Sequence, residues 1–318
     1  DPTDALGTSQ LIEKHKVTLL FGTSTFFRLY IRNQKIAPEM LSSLRLTIAG
    51  AEKLQTEVRD EFHRKFDKVI LEGYGATETA PVASVNIPDF FEVEGYPEVK
   101  HKPGSVGLPI PDTEVCIIDP ETEEILPAGE SGMIHISGGQ VMEGYLDNPQ
   151  LSQEVLPEID GMTWYVTGDK GYLDENNHIM SGNMLISTIY DKHHCEDGFL
   201  YIEDRYSRFA KIGGEMISLG QVETAIRRVS DDLDLELVAV NVPDRKKGES
   251  IIVLSNRPLD QKSLRPRLLE AGLSNLSLPS AYFLVDEVPK LGTGKTDFGT
   301  AKKLALRISE VDTKYGKK

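Results

Sequence analysis

The stretch Leu71-Glu72-Gly73-Tyr74-Gly75-Ala76-Thr77-Glu78-Thr79 decides how this chain is read. It follows on Val69-Ile70-Leu71, an apolar run that reads as a short buried strand, and it gathers glycines, an aromatic ring, threonine hydroxyls and a carboxylate. Glycine lets backbone approach a ligand closely, a tyrosine ring offers a flat face to a base, and threonine and glutamate oxygens suit phosphate and Mg2+. The third glycine of the dinucleotide fingerprint is missing, so the stretch alone reads equally as a glycine-rich turn after a strand. The rest of the chain has to decide between the two.

Upstream, helix and strand patterns alternate. Ser9 to Lys16 reads as a helix, Val17 to Gly22 as a strand, and Thr23 to Arg32 as a helix whose Phe26, Phe27, Leu29, Tyr30 and Ile31 form core or line an apolar pocket. Pro38 to Leu44 reads as a short helix or turn, Leu46-Thr47-Ile48-Ala49 as a strand, and Gln55 to Phe66 as an amphipathic helix. This alternation predicts part of a doubly wound parallel sheet, in which ligands bind beyond the carboxyl ends of the strands. Gly50-Ala51-Glu52 and Gly73-Tyr74-Gly75 both fall at such ends, placed to flank one base.

From Gly104 the pattern changes to short alternating segments, such as Val115 to Asp119 and Gly132 to Ile136, which predict an antiparallel sheet or small barrel. Within it, Tyr165-Val166-Thr167-Gly168-Asp169 reads as a strand delivering an aspartate at its end. A carboxylate there can accept both hydroxyls of a ribose, or cap a turn. Asp204 to Gly220, rich in basic and glycine residues, reads as a boundary before a small α+β unit. That unit ends in Pro289-Lys290-Leu291-Gly292-Thr293-Gly294-Lys295, a glycine loop presenting a lysine. The expected domains are 1–100 (part of a large α/β domain), 101–206 (a barrel-like subdomain) and 207–318 (a small mobile α+β domain).

The 318 residues are 39% apolar and 27% charged, ordinary for a globular chain. A formal charge of -15 argues against nucleic acid, because that field repels a phosphate backbone. Two cysteines, Cys116 and Cys195, make no disulfide framework and favour a reducing, cytoplasmic setting. No apolar run reaches the roughly 20 residues that span a bilayer. The opening Asp1-Pro2-Thr3-Asp4 has neither Met nor signal peptide and reads as a start in mid-protein.

Gly73 to Thr79, Tyr165 to Asp169, Arg205 to Gly214 and Gly292-Thr293-Gly294-Lys295 together resemble, in order and approximate spacing, the adenylate-forming superfamily of acyl-CoA synthetases, luciferases and peptide-synthetase adenylation domains. Within that group, Ser207-Arg208-Phe209-Ala210-Lys211-Ile212-Gly213-Gly214-Glu215-Met216-Ile217-Ser218-Leu219 looks most like the acyl-acyl-carrier-protein synthetase part of bacterial 2-acylglycerophosphoethanolamine acyltransferases. The resemblance implies a fatty carboxylate attacking the α-phosphate of MgATP to give acyl-AMP, followed by transfer to a thiol of acyl carrier protein or coenzyme A. It implies that Glu78 holds Mg2+ and Thr77 a phosphate oxygen, while Tyr74 with Gly50, Ala51 and Glu52 holds adenine in the turn formed by Gly73 and Gly75. It further implies Asp169 on the ribose, Arg205 on ribose or phosphate, and Lys295 bridging carboxylate and α-phosphate. The small unit is implied to rotate about Ser207, bringing Gly213 and Gly214 to the thiol. A cytoplasmic place, or one at the inner face of a bacterial membrane reached through upstream domains, goes with it.

The chain departs from the family in three places. The phosphate-cradling loop rich in Ser, Thr and Gly has no match: Gly22-Thr23-Ser24-Thr25 is too short, lacks the lysine and reads as a helix entry. The chain therefore reads as the C-terminal portion of a longer enzyme. About twenty extra residues separate Asp169 from Arg205. Tyr172 to Met180 and Cys195 to Ile202 look like two versions of one hairpin, with an insertion at about 176–196. His193-His194-Cys195 with His178 and Asp191 fits no standard zinc spacing. Finally, Asp204 stands where glycine usually precedes the arginine, and Ser207 where the hinge is more often Asp or Lys.

Two alternatives stay open beside a carrier-protein ligase: a fatty acyl-CoA ligase, and an inactive nucleotide-binding remnant. Arg205, Arg208 and Lys211, or Arg245, Lys246 and Lys247, are candidates to dock an acidic carrier protein, or are solvated faces. The lysine-rich 302–318 region reads as a helix capping the small domain.

Overall fold

Why the opening segment folds as it does is visible in its caps and its spacing of apolar residues. The computed structural model describes residues 1, 3–92, 99–159, 161–174, 198–230, 232, 234–244, 246–291 and 295–315. Asp4 accepts the Gly7 amide at 2.8 Å and starts α1 (Ala5–His15). β1 (Leu19–Gly22) leads to α2 (Ser24–Arg32), whose first turn is capped by Thr23. β2 (Leu46–Ala49), α3 (Thr56–Phe66) and β3 (Ile70–Gly75) follow. The aromatic residues of α2 and α3 meet in one core: Phe27 packs edge-on to Phe62 at 5.2 Å, and Phe62 against Phe66 at 4.8 Å. The predicted core role of Phe27 and Tyr30 is met, since both are buried in this cluster.

β1, β2 and β3 pair in parallel as expected, in register Leu19 with Leu46 and Thr47 with Ile70. The sheet then turns antiparallel through β4 (Val82–Val85) and β5 (Leu108–Pro109). The cause is chain length: one 3-10 turn, Thr77–Thr79, joins β3 to β4, too short for the crossover a parallel neighbour needs.

The predicted antiparallel region is a curled sheet. It comprises β6 (Thr113–Ile118), β7 (Gly132–Gly138), then α4 (Pro149–Val155), β8 (Glu158–Ile159), β9 (Met162–Leu173) and β10 (Leu200–Arg205), in spatial order β10-β9-β7-β6 with β8 on β9. Ile134 and Ile136 alternate with Met133 and His135 along β7, so one face packs into a core with Val115, Ile117, Leu173 and Leu200.

Asp1–Ile202 and Glu203–Lys318 are the two compact units of the chain. The second holds β11 (Phe209–Ile212), β12 (Glu215–Ser218), α5 (Leu219–Ser230), β13 (Leu237–Asp244), β14 (Gly248–Ser255), α6 (Gln261–Glu270), β15 (Ala281–Leu284) and α7 (Phe298–Tyr315). Its central strands are apolar without alternation because helices cover both faces. Leu237, Ala239, Ile251 and Val253 pack toward α5 and α6, while Val238, Val240, Ile252 and Leu254 pack against Ala301 and Ala305 of α7. The fold is mixed α/β with a curled sheet and a small C-terminal unit, as the sequence predicts. No described helix is long and apolar enough to cross a membrane.

Candidate functional site

Two strand irregularities bring distant motifs together. Along β9, Val166 pairs with His135 and Lys170 with Met133, so Thr167, Gly168 and Asp169 all lie opposite Ile134. The extra residues make a bulge, for which Gly168 takes the left-handed φ of +74°. Thr167 pins the bulge by donating its hydroxyl to the Ile134 carbonyl at 2.9 Å and accepting the Asp169 amide at 3.0 Å. The sequence expectation of a strand ending at Asp169 is therefore corrected: β9 runs on to Leu173, and the bulge rather than a strand end aims the carboxylate.

That carboxylate, 7% exposed, accepts the Tyr74 hydroxyl at 2.6 Å. Burial, and then the Asp169 charge, push the Tyr74 phenol far above its ordinary value, so it stays protonated as the donor. β3 carries its own register shift at Tyr74/Gly75. A Cβ on Gly75 would lie 1.8 Å from the Pro81 carbonyl oxygen, so the chain's own hairpin already requires a glycine there. A Cβ on Gly73 would also be tight in the same hairpin, 3.3 Å from the Ser84 carbonyl oxygen.

Gly50, Ala51 and Glu52 leave the carboxyl end of β2 beside β3. The Gly50 amide donates to the Gly22 carbonyl at 3.1 Å, and the space for its Cβ opens toward the Gly73 carbonyl at 3.6 Å. Ala51 is left-handed, with φ +68°. The Glu52 carboxylate accepts the Thr25 amide at 2.6 Å, so in this structure it satisfies the first turn of α2. Thr77 is exposed. Glu78 accepts the Tyr145 hydroxyl at 2.6 Å, while its backbone carbonyl accepts the Met142 amide at 2.8 Å. The bond to Glu78 pushes the Tyr145 phenol up to about 12. Tyr145 is the residue that sequence reasoning missed; it sits between a glycine and a helix cap with no periodic or motif signal of its own.

In the second unit, Ser207 is exposed inside the 3-10 turn Tyr206–Arg208, and Arg205 is exposed just before it. Gly213 and Gly214, with φ of +61° and +94°, form the two-residue turn between β11 and β12, where Ile212 pairs with Glu215. Both residues of such a turn need positive φ, which accounts for the glycine pair. Lys295 is exposed at the foot of a loop closed by the Lys290–Thr296 bridge, its carbonyl accepting the Leu291 amide at 2.7 Å. Asp204, the departure from family glycine, is 8% exposed and accepts the Ser218 hydroxyl at 2.8 Å and the Gly220 amide at 2.7 Å. The structure thus brings Gly50, Ala51, Gly73, Tyr74 and Asp169 into one neighbourhood of the first unit. Lys295, Arg205, Ser207, Gly213 and Gly214 belong to the second. Gly292 to Gly294, Arg245, the 176–196 insertion and the His178, Asp191, His193, His194 and Cys195 group lie outside the described residues.

The family described as AMP-binding enzyme matches residues 1–146. Long-chain-fatty-acid–CoA ligase of Bacillus subtilis (strain 168) is 32% identical over 295 residues, covering 92% of this chain and 46% of that ligase. The Salmonella typhimurium long-chain-fatty-acid–CoA ligase is 29% identical over 297 residues, 93% of this chain and 46% of its own length. The chain thus spans about half the length of these curated relatives. Among solved structures, ATP-bound MatB from Rhodopseudomonas palustris superposes with a TM-score of 0.76 at 23% identity, over 97% of this chain and 54% of that one, a likeness of fold. These matches are likenesses: to the AMP-binding enzyme family over residues 1–146, to long-chain-fatty-acid–CoA ligases over most of this chain, and to MatB in fold.

Proposed function

We propose that the chain is the C-terminal portion of an ATP-dependent acid–thiol ligase that activates a fatty acid as acyl-AMP and passes the acyl group to a thiol. The observation that carries this reading is the 2.6 Å bond from Tyr74 to Asp169, which joins in space two nucleotide motifs far apart in sequence. In this reading the ring of Tyr74 and the Gly50–Glu52 turn hold adenine, and Asp169, aimed by its bulge and by Tyr74, takes the ribose hydroxyls. Mg2+ is often held by one or two carboxylates plus substrate phosphates, so Glu78 beside the exposed Thr77 is a donor set that fits it. Among the described residues no group of three or more His, Cys, Asp or Glu competes for a metal. The metal of MgATP supplies charge neutralisation at the phosphates. A carboxylate oxygen forms the new bond to the α-phosphorus while the bond to pyrophosphate breaks, and Lys295 balances the negative charge that accumulates. The thiol then adds to the acyl carbonyl and AMP leaves.

Fatty acid as substrate is supported by the names of the curated relatives, which also favour coenzyme A as acceptor. Acyl carrier protein is the second reading, supported by the wording from Ser207 to Leu219. A nucleotide-binding remnant is the third reading. ATP–pyrophosphate exchange with a fatty-acid panel and Mg2+, on this chain and on the longest reading frame that contains it, tests all three. Exchange in the longer protein, lost on Lys295→Ala, is expected, and thioester yield with coenzyme A against carrier protein then names the acceptor. Exchange in neither protein overturns the ligase reading. Exchange that survives Lys295→Ala overturns the role of that lysine.

A further inference from the structure

Lys295 is exposed, so its aim depends on what holds the chain on either side of it. The foot of its loop is closed by the Leu291 amide, which donates to the Lys295 carbonyl at 2.7 Å, and by the Asp297 amide, which donates to the Pro289 carbonyl at 2.8 Å. Upstream, the Lys290 ammonium reaches the Glu236 carboxylate at 2.8 Å. Downstream, Asp297 caps α7 by accepting the Thr300 amide at 2.9 Å. The body of that helix is fixed by Ala301 and Ala305 in the sheet core and by Lys302, which donates to Asn241 at 2.9 Å. Phe298 stands between the loop and this fixed body, three residues after Lys295 and first in α7. Although 39% exposed, it lies against a buried cation: the Arg208 guanidinium is 4.1 Å from the centre of its ring.

Arg208 is suited to be a fixed post because its edge is held by carboxylates. Its Nη2 donates to Glu223 at 2.5 Å, and its Nη1 lies 3.6 Å from Asp204. Glu223 is itself held, accepting the Ala239 amide of β13 at 2.8 Å and lying 3.7 Å from Arg227. A guanidinium is planar, so it bonds carboxylates along its edge while an aromatic ring stacks on its face, a combination that an ammonium does not offer. With its side chain only 14% exposed and bound in this way, Arg208 is withdrawn from the solvated basic face on which a carrier protein would dock. We propose that Arg208 and Phe298 are a positioning pair, through which the α5–β13 framework sets the direction in which Lys295 leaves its loop. The pair rests on the ligase reading of Lys295 given above. Displacing a reacting group by about 1 Å can cost about 10²-fold in rate, so a contact that fixes the chain three residues away has a kinetic consequence.

The test is Phe298→Leu, which keeps apolar bulk at a partly exposed position and removes the ring. In the longest reading frame that contains this chain, it is expected to slow ATP–pyrophosphate exchange about tenfold through kcat, with KM for ATP changed less than about twofold. Thioester formation from supplied acyl-AMP should be unchanged, because that step does not use Lys295. Phe298→Tyr, which restores a ring, should recover most of the lost rate. In the isolated chain, Phe298→Leu should speed hydrogen exchange of the Leu291 and Asp297 amides several-fold and leave the amides of β13 as they are. Adenylation at the wild-type rate, equal losses in adenylation and transfer, a tyrosine no better than leucine, or unchanged Leu291 and Asp297 amides overturns the pair. If the longer wild-type protein shows no pyrophosphate exchange, or Lys295→Ala leaves it intact, the ligase reading of that lysine fails. The amides of the isolated chain then decide by themselves whether Arg208 and Phe298 hold the loop.

Discussion

Replacing Asp204 by alanine should unfasten the start of α5. The carboxylate accepts the Gly220 amide at 2.7 Å, the Ser218 hydroxyl at 2.8 Å and its neighbour's Arg205 amide at 2.9 Å, and lies 3.6 Å from the Arg208 guanidinium. Gly220 is in the first turn of α5, where amides have no partner within the helix, so the contact acts as a cap from a distant residue. Hydrogen bonds to a charged acceptor contribute about 1.5 kcal/mol at the low end of their range. Two such bonds to Gly220 and Ser218 give about 3 kcal/mol for Asp204→Ala. Asp204→Asn keeps an acceptor oxygen and should cost about 1 kcal/mol. Asp204→Gly, which restores the family residue, should cost about 1 kcal/mol more than alanine through added backbone freedom. Because the chain is two units, one global transition is not guaranteed, and hydrogen exchange of the Leu219–Ser230 amides against urea reads the effect locally. Alanine indistinguishable from wild type at those amides, or asparagine as harmful as alanine, would refute the capping argument.

Three further outcomes follow from the same contacts. His135 has a buried Nδ1 with no hydrogen-bond partner among the described residues, and burial lowers the ring from 6.5 to about 4. The unfolded chain binds that proton more readily, so the stability tied to the neutral ring is complete above about pH 6.5 and is lost as pH falls through about 4, with a ceiling near ~3 kcal/mol; His135→Leu should flatten the urea midpoint across that window, and an unchanged slope refutes it. Tyr74→Phe removes the donor from a carboxylate that is 7% exposed, so it should cost about 1.5–3 kcal/mol and weaken AMP binding, read by calorimetry beside thermal melting; AMP affinity equal to wild type removes Tyr74 from the positioning of Asp169. Gly75→Ala puts a methyl 1.8 Å from the Pro81 carbonyl oxygen and should cost about 3 kcal/mol, measured by denaturation, with a loss under about 0.5 kcal/mol counting against the tight hairpin.

The residues that could be read from sequence and those that could not differ in how far away their partners lie. Leu46 to Ala49 announces itself as a strand because an apolar run and flanking turn residues are local signals, and the structure places a strand there. Gly168 misled for an equally local reason. A glycine before an aspartate reads as a strand terminator, whereas here its left-handed backbone keeps β9 going through a bulge opposite Ile134. Tyr145 could not be found at all from its neighbourhood, since its meaning comes from a glutamate 67 residues earlier. Asp204 looked like damage to a motif until Ser218 and Gly220 supplied its partners.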